Sequence, residues 1–240
     1  MEDKIVGVVG GMGPEATVDL MRRVIQATPA QDDIDHIRMI VDNNPKVPSR
    51  IEAIIEGTGE SPAPTLAEMA RKLEAHGADF LVIPCNTAHY YLNDIRSAVS
   101  VPVIDMIELT VDAVLRENPS IDTAGLLASK AVLQTDLYMK RFQERGVDLI
   151  YPQTKLQDEL MTAIRTIKTG NYGTTERNAL RSCTKNLLAR GAEALIIACT
   201  ELSIIADALN PELKAYDSAQ ILAETVVRIA NEGNQGSLSV

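Results

Sequence analysis

Short apolar runs alternate with longer amphipathic stretches along this chain, and the alternation occurs twice. Ile5-Val6-Gly7-Val8-Val9 is too short for a helix and is bounded by glycine, so it reads as a buried parallel strand. It enters the tight loop Gly10-Gly11-Met12-Gly13-Pro14, and a helix is predicted from about Glu15, with Pro14 suited to its first turn. Ile37–Val41, 79–84 and Val101–Ile104 read as further strands. A helix from Thr65 buries Leu66, Met69, Ala70 and Leu73, pairs Glu68 with Lys72 outside, and closes at Gly77. Another begins near Ala88 with Thr87 as N-cap, and a third, 107–116, stops before Pro119. Residues 43–64 are the least regular, with Pro45, Pro48, Pro62 and Pro64 around a short helical piece at Arg50–Glu56. Loops of that length in compact domains commonly serve binding.

The pattern then restarts. Ala124–Ser129 echoes Val6–Gly11, and Tyr216-Asp217 before a helix echoes Ile104-Asp105 before a helix. Between them the period predicts helix 130–144, strand 147–150, helices 155–169 and 175–190, and strand 193–198. Strands alternating with helices define the α/β class. The expected architecture is two similar parallel-sheet α/β domains related by a pseudo-two-fold, with the active site in the cleft between them. The first takes residues 1–105 plus 216–240 and the second takes 106–215.

The chemistry gathers at the ends of two strands. Val82–Ile83-Pro84-Cys85-Asn86-Thr87-Ala88-His89 matches Ile196-Ile197-Ala198-Cys199-Thr200-Glu201-Leu202 in context, and the cysteines are 114 positions apart (199 − 85). Ligands of open parallel sheets sit beyond the carboxyl ends of the strands. A thiol there, at the start of a helix, stands among backbone N–H groups that favour an anion. Two such thiols facing one cleft suit the inversion of a carbon acid, in which one face loses a proton and the other gains one. Donors around the substrate carboxylate would stabilise the carbanion-like state.

Composition narrows the partners. The charge of −10, from 23 basic and 33 acidic residues, speaks against nucleic acid and anionic membrane, and an anionic substrate would need local cations. Three cysteines make no disulfide framework. Met1-Glu2-Asp3-Lys4 leads straight into the first strand, so no leader is expected, and free thiols fit a reducing cytoplasm.

With Gly10-Gly11-Met12-Gly13-Pro14, Cys85-Asn86-Thr87-Ala88-His89 and Cys199-Thr200-Glu201-Leu202 in place, the chain resembles the cofactor-independent aspartate/glutamate racemase family over nearly its whole length. Glutamate racemases usually carry His after the second Cys-Thr; Glu201 here is similar to the aspartate racemase branch. The resemblance implies an isomerase that interconverts L- and D-aspartate without pyridoxal phosphate, other cofactor or metal, commonly as a homodimer. It implies Cys85 and Cys199 as the catalytic pair. Substrate-binding positions would be Met12, Arg50, Asn86, Thr87, Thr200, Glu201 and Lys168, with Arg50 and Lys168 supplying the cations. A glutamate-type or broad-specificity racemase, a dicarboxylic-acid isomerase, and a non-catalytic binder of small acids are the competing expectations.

Other readings of the same residues are blander. Cys183 lies between Leu180 and Leu187 at helical spacing and reads as core. His89 is four residues from Cys85, a spacing compatible with a metal pair, but few further ligands are available. Gly11-Met12-Gly13-Pro14-Glu15-Ala16 fits a loose dinucleotide fingerprint, yet the acid expected after the second strand, Asp42, comes late.

Overall fold

The computed structural model describes residues 4–231. The first run of elements is β1 (Val6–Gly10), α1 (Pro14–Ala27), β2 (Met39–Asn43), α2 (Ala63–Ala75), β3 (Phe80–Val82), α3 (Leu92–Arg96) and α4 (Met106–Glu117). The second is β4 (Thr123–Ala128), α5 (Lys130–Gln134), α6 (Met139–Gln143), β5 (Asp148–Ile150), α7 (Thr154–Ile167), α8 (Thr174–Ala189), β6 (Ala194–Ala198), α9 (Thr200–Ile204), β7 (Ala215–Asp217) and α10 (Ser218–Asn231). The short Asn/Gly/Ser-rich tail after Ala230 lies almost wholly outside the described residues.

Each run builds an all-parallel sheet, β2-β1-β3 in one and β5-β4-β6-β7 in the other. The central strands β1 and β6 are buried throughout, as continuous apolar runs covered on both faces should be. The expected fourth strand of the first sheet shrinks to a single bridge, Leu81 to Val103. Pro102 accepts from Leu81 N–H but has no N–H to return on that side, and beyond Ile104 the Met106 N–H donates to His89 Nε2 instead of to the strand. With that bridge included, the two sheets have the same strand order.

The halves exchange their last helices. α4 follows the first sheet, yet Ile107, Val111 and Val114 pack into the core around Leu126 and Ile196 of the second. α10 follows β7, yet Leu222, Ala223 and Val226 pack with Val6, Val8, Leu20 and Phe80 of the first. Tyr216 and Asp217 pair with β6, so the crossing back to the first half falls at Ser218.

Three local expectations are corrected. Residues 130–144 are not one helix: the chain breaks between α5 and α6, with Asp136 at φ 52. Residues 52–56 form a wider, π-type turn. Thr87 does not cap a helix; a 3-10 turn, Thr87–Tyr91, precedes α3, and the Thr87 hydroxyl lies 3.4 Å from Ser129 Oγ in the other half.

Candidate active site

The carboxyl ends of β1, β3, β4 and β6 face one another across a single compact cavity. Met12, Arg50, Cys85, Asn86, Thr87, Lys168, Cys199, Thr200 and Glu201 all line it, so the nine residues singled out from the sequence meet at one place. Ser49, Ile51, Ser129, Met161, Ile164 and Ala198 complete the lining and were not anticipated. Ser129 had a signal, since it follows β4 as Gly11 follows β1. Met161 and Ile164 did not: they lie on the core face of α7 like any buried apolar residue.

Both sulfurs are nearly buried, each residue being 6% exposed. Their surroundings differ. Cys199 precedes α9, and its thiol donates to Glu201 Oε2 over 3.1 Å. Burial, reinforced by the Glu201 carboxylate, pushes the Cys199 thiol well above its ordinary range, and the Lys168 ammonium opposes the shift. Lys168 stands just past α7, where a cation also faces the negative end of the helix. Its Nζ lies 3.7 Å from Glu201 Oε1, a buried oxygen without a hydrogen bond. The Glu201 carboxylate, and then the two cysteines, hold the Lys168 pKa up against its burial.

Arg50 reaches the cavity from the irregular segment. Its Nη1 donates to the carbonyls of Val47 and Pro48, at 3.3 and 3.0 Å, which fixes the guanidinium against its own loop. Among the described residues no carboxylate pairs with Arg50, in contrast to Lys168. The Thr200 hydroxyl donates to Pro84 O over 3.2 Å, linking one cysteine loop to the strand end that carries the other. With its proton so used, that oxygen is left as an acceptor, suited to an ammonium group.

His89 is buried and neutral. Its Nδ1 lies 2.9 Å from Cys85 O, and its Nε2 accepts from Met106 N–H at 3.1 Å. Burial lowers its pKa. With both ring nitrogens engaged by backbone, it does not serve as a metal ligand here, and it ties the Cys85 loop to the start of α4. The glycine loop also departs from a nucleotide cradle. Gly11 N–H donates to Thr17 Oγ1 at 2.8 Å instead of pointing outward, and Gly11 (φ +93) passes so close to Asn44 that an added Cβ would lie 2.2 Å from its backbone. Cys183 is fully buried between α7 and α8, as its spacing suggested.

The model of the Asp/Glu/Hydantoin racemase family matches residues 9–226. Two relatives span nearly the whole chain. The broad specificity amino-acid racemase RacX of Bacillus subtilis (strain 168) is 29% identical over 227 residues, covering 93% of this chain and 96% of that one. The Picrophilus torridus aspartate racemase structure superposes with a TM-score of 0.80 at 27% identity, over 95% of this chain and 94% of that one. Glutamate racemase from Francisella tularensis shares the fold, with a TM-score of 0.68 at 18% identity over 97% and 83% of the two chains. The chain belongs to the Asp/Glu/hydantoin racemase family. It is accordingly an isomerase, a racemase built on two repeated parallel α/β halves.

Proposed function

We propose that the protein interconverts L- and D-aspartate by a two-base transfer at Cα, with Cys85 and Cys199 in mirrored roles. The observation that carries this reading is the meeting of two nearly buried thiols, from equivalent positions of two repeated halves, in one cavity with Arg50 and Lys168. A thiolate on one side removes the α-proton. The electron pair passes into the substrate carboxylate, held by Asn86, Thr87 and the nearby backbone, and the opposite thiol delivers a proton to the other face. The cysteines end the turnover with their protons exchanged, ready for the reverse reaction. Arg50, with no carboxylate partner among the described residues, would take the side-chain carboxylate, and the Thr200 oxygen would accept from the ammonium. The Picrophilus torridus relative, named an aspartate racemase, supports the same substrate.

A broader substrate range is the second reading. It is supported by the apolar wall of Ile51, Met161 and Ile164 beside the cations, and by the relative named a broad specificity amino-acid racemase.

The test is L-aspartate in D2O with the reduced protein and a chelator, followed by NMR and chiral chromatography. Deuterium at Cα together with D-aspartate is expected. Cys85→Ala and Cys199→Ala should each abolish racemisation, while each still exchanges the α-proton of one enantiomer, opposite in the two variants. Near-normal racemisation by either variant would sink the two-base scheme. Exchange with other amino acids at rates equal to aspartate would favour the broader reading.

A further inference from the structure

We infer that Tyr138, which lies outside the cavity wall, is a positioning residue that sets the orientation of the Asn86 side-chain amide so that one N–H is presented to the substrate carboxylate. The inference rests on the racemase site proposed above.

Ser218 has one hydroxyl proton, and it donates to Ile197 O at 2.9 Å. Toward Asn86, 3.1 Å away, Ser218 Oγ is therefore an acceptor, and the amide must turn its nitrogen that way. On the other side Tyr138 donates its phenolic proton to Asn86 Oδ1 over 2.7 Å. One N–H of the amide remains, on a residue that lines the cavity and is itself only 2% exposed. Burial pushes the Tyr138 pKa up, so the phenol stays protonated and a donor.

Neither of the two partners, nor Ile197 behind Ser218, comes from the element that carries Asn86. Ile197 is in β6, Ser218 opens α10, and Tyr138 is delivered by the break between α5 and α6, with Asp136 at φ 52. The turn there puts a wholly buried tyrosine against the catalytic loop of the opposite half. The amide is thus set from the second half, by Tyr138, and from the point at which the chain crosses back, by Ser218.

The test compares wild type, Tyr138→Phe and Ser218→Ala by calorimetric titration with succinate, an unreactive dicarboxylate, and by aspartate kinetics. Removing the phenolic hydroxyl strands Asn86 Oδ1 and frees the amide to flip. Tyr138→Phe should weaken succinate and raise KM for aspartate about tenfold, the effect of roughly 1.4 kcal/mol, with a smaller fall in kcat. The Asn86 side-chain amide protons, slow to exchange in wild type, should exchange fast. Unchanged succinate affinity and KM in folded Tyr138→Phe would overturn the inference. If that variant does not fold, Ser218→Ala decides, with a several-fold loss expected and none overturning it. Wild type that binds succinate but exchanges no α-proton would refute the racemase reading and leave the amide orientation to be judged by affinity. Wild type that does neither overturns both.

Discussion

The thiol of Cys199 donates to the carboxylate of Glu201 over 3.1 Å, whereas the residue in the equivalent place beside Cys85 is the neutral Thr87. The repeat that makes the two cysteines alike is broken at this position. A carboxylate beside a buried thiol favours the proton staying on sulfur. In the proposed two-base scheme this would make Cys199 the member of the pair that holds its proton more tightly.

That asymmetry is open to titration. In the Cys85→Ala/Cys183→Ala background the remaining thiol is Cys199. Thiolate absorbance near 240 nm should appear only well above the ordinary thiol range. Glu201→Gln should bring the transition down, and Lys168→Ala should move it further up. A Glu201→Gln transition at the parent's pH would remove Glu201 as a cause.

Arg50 is tested by substrate charge. Its guanidinium is anchored by the carbonyls of Val47 and Pro48 with no carboxylate partner among the described residues. Arg50→Ala should lower kcat/KM for aspartate about 10- to 100-fold, the range for losing a charge-assisted hydrogen bond. A neutral amino acid that turns over should be affected far less. Equal losses on both would show that Arg50 shapes the loop instead of reading the substrate.

Arg23 holds the back of the site. Its guanidinium reaches Asp19 at 2.6 Å, Asp217 at 3.1 Å and the carbonyl of Ser203, in α9, at 2.8 Å. Arg23→Ala strands buried carboxylates and should cost about 3 kcal/mol in urea unfolding. Burial already holds the Asp217 pKa up while Arg23 pulls it down, so the variant raises it further. A carboxyl raised in the folded state binds its proton there more readily than in the unfolded chain. The defect should therefore be smaller at pH 5 than at pH 7.5.

Cys183 is one of the groups that lower stability at high pH. Burial pushes its thiol up from an ordinary value near 9 to about 12. The unfolded chain loses this proton first, so the stability contributed below about pH 9 is lost as pH rises toward 12. At pH 10.5 the loss is ~2 kcal/mol. Cys183→Ala should be less stable than wild type at pH 8, but the gap should narrow at pH 10.5, as read from urea midpoints. Catalysis at pH 8 should be little changed.

The strands and the meeting of the cysteine loops were legible because both arise from local regularities: buried parallel strands as short apolar runs, and chemistry at their carboxyl ends. What escaped depended on the third dimension. The helical period of 130–144 is sound, but the chain breaks at Asp136, which sits at φ 52, and no periodicity reports that. Thr87 carried a plausible capping signal and faces Ser129 of the other half instead. Met161 and Ile164 have a core pattern because they are core; that the core there opens onto the cavity is a property of the assembled halves. His89, whose spacing to Cys85 allowed a metal pair but lacked further ligands, is scaffolding, its two nitrogens each held by a backbone group.

The exchange of α4 and α10 determines how this protein can come apart. Each sheet is covered by a helix that belongs, by chain order, to the other repeat. Cleavage in the connection after α4 would separate two fragments that each lack an apolar lid and carry one with nowhere to sit. Neither half is a module that could be excised, expressed alone or lost while the other persisted. The molecule should melt in a single calorimetric transition, and the cleft between the thiols is held by the same interlock that makes the fold indivisible.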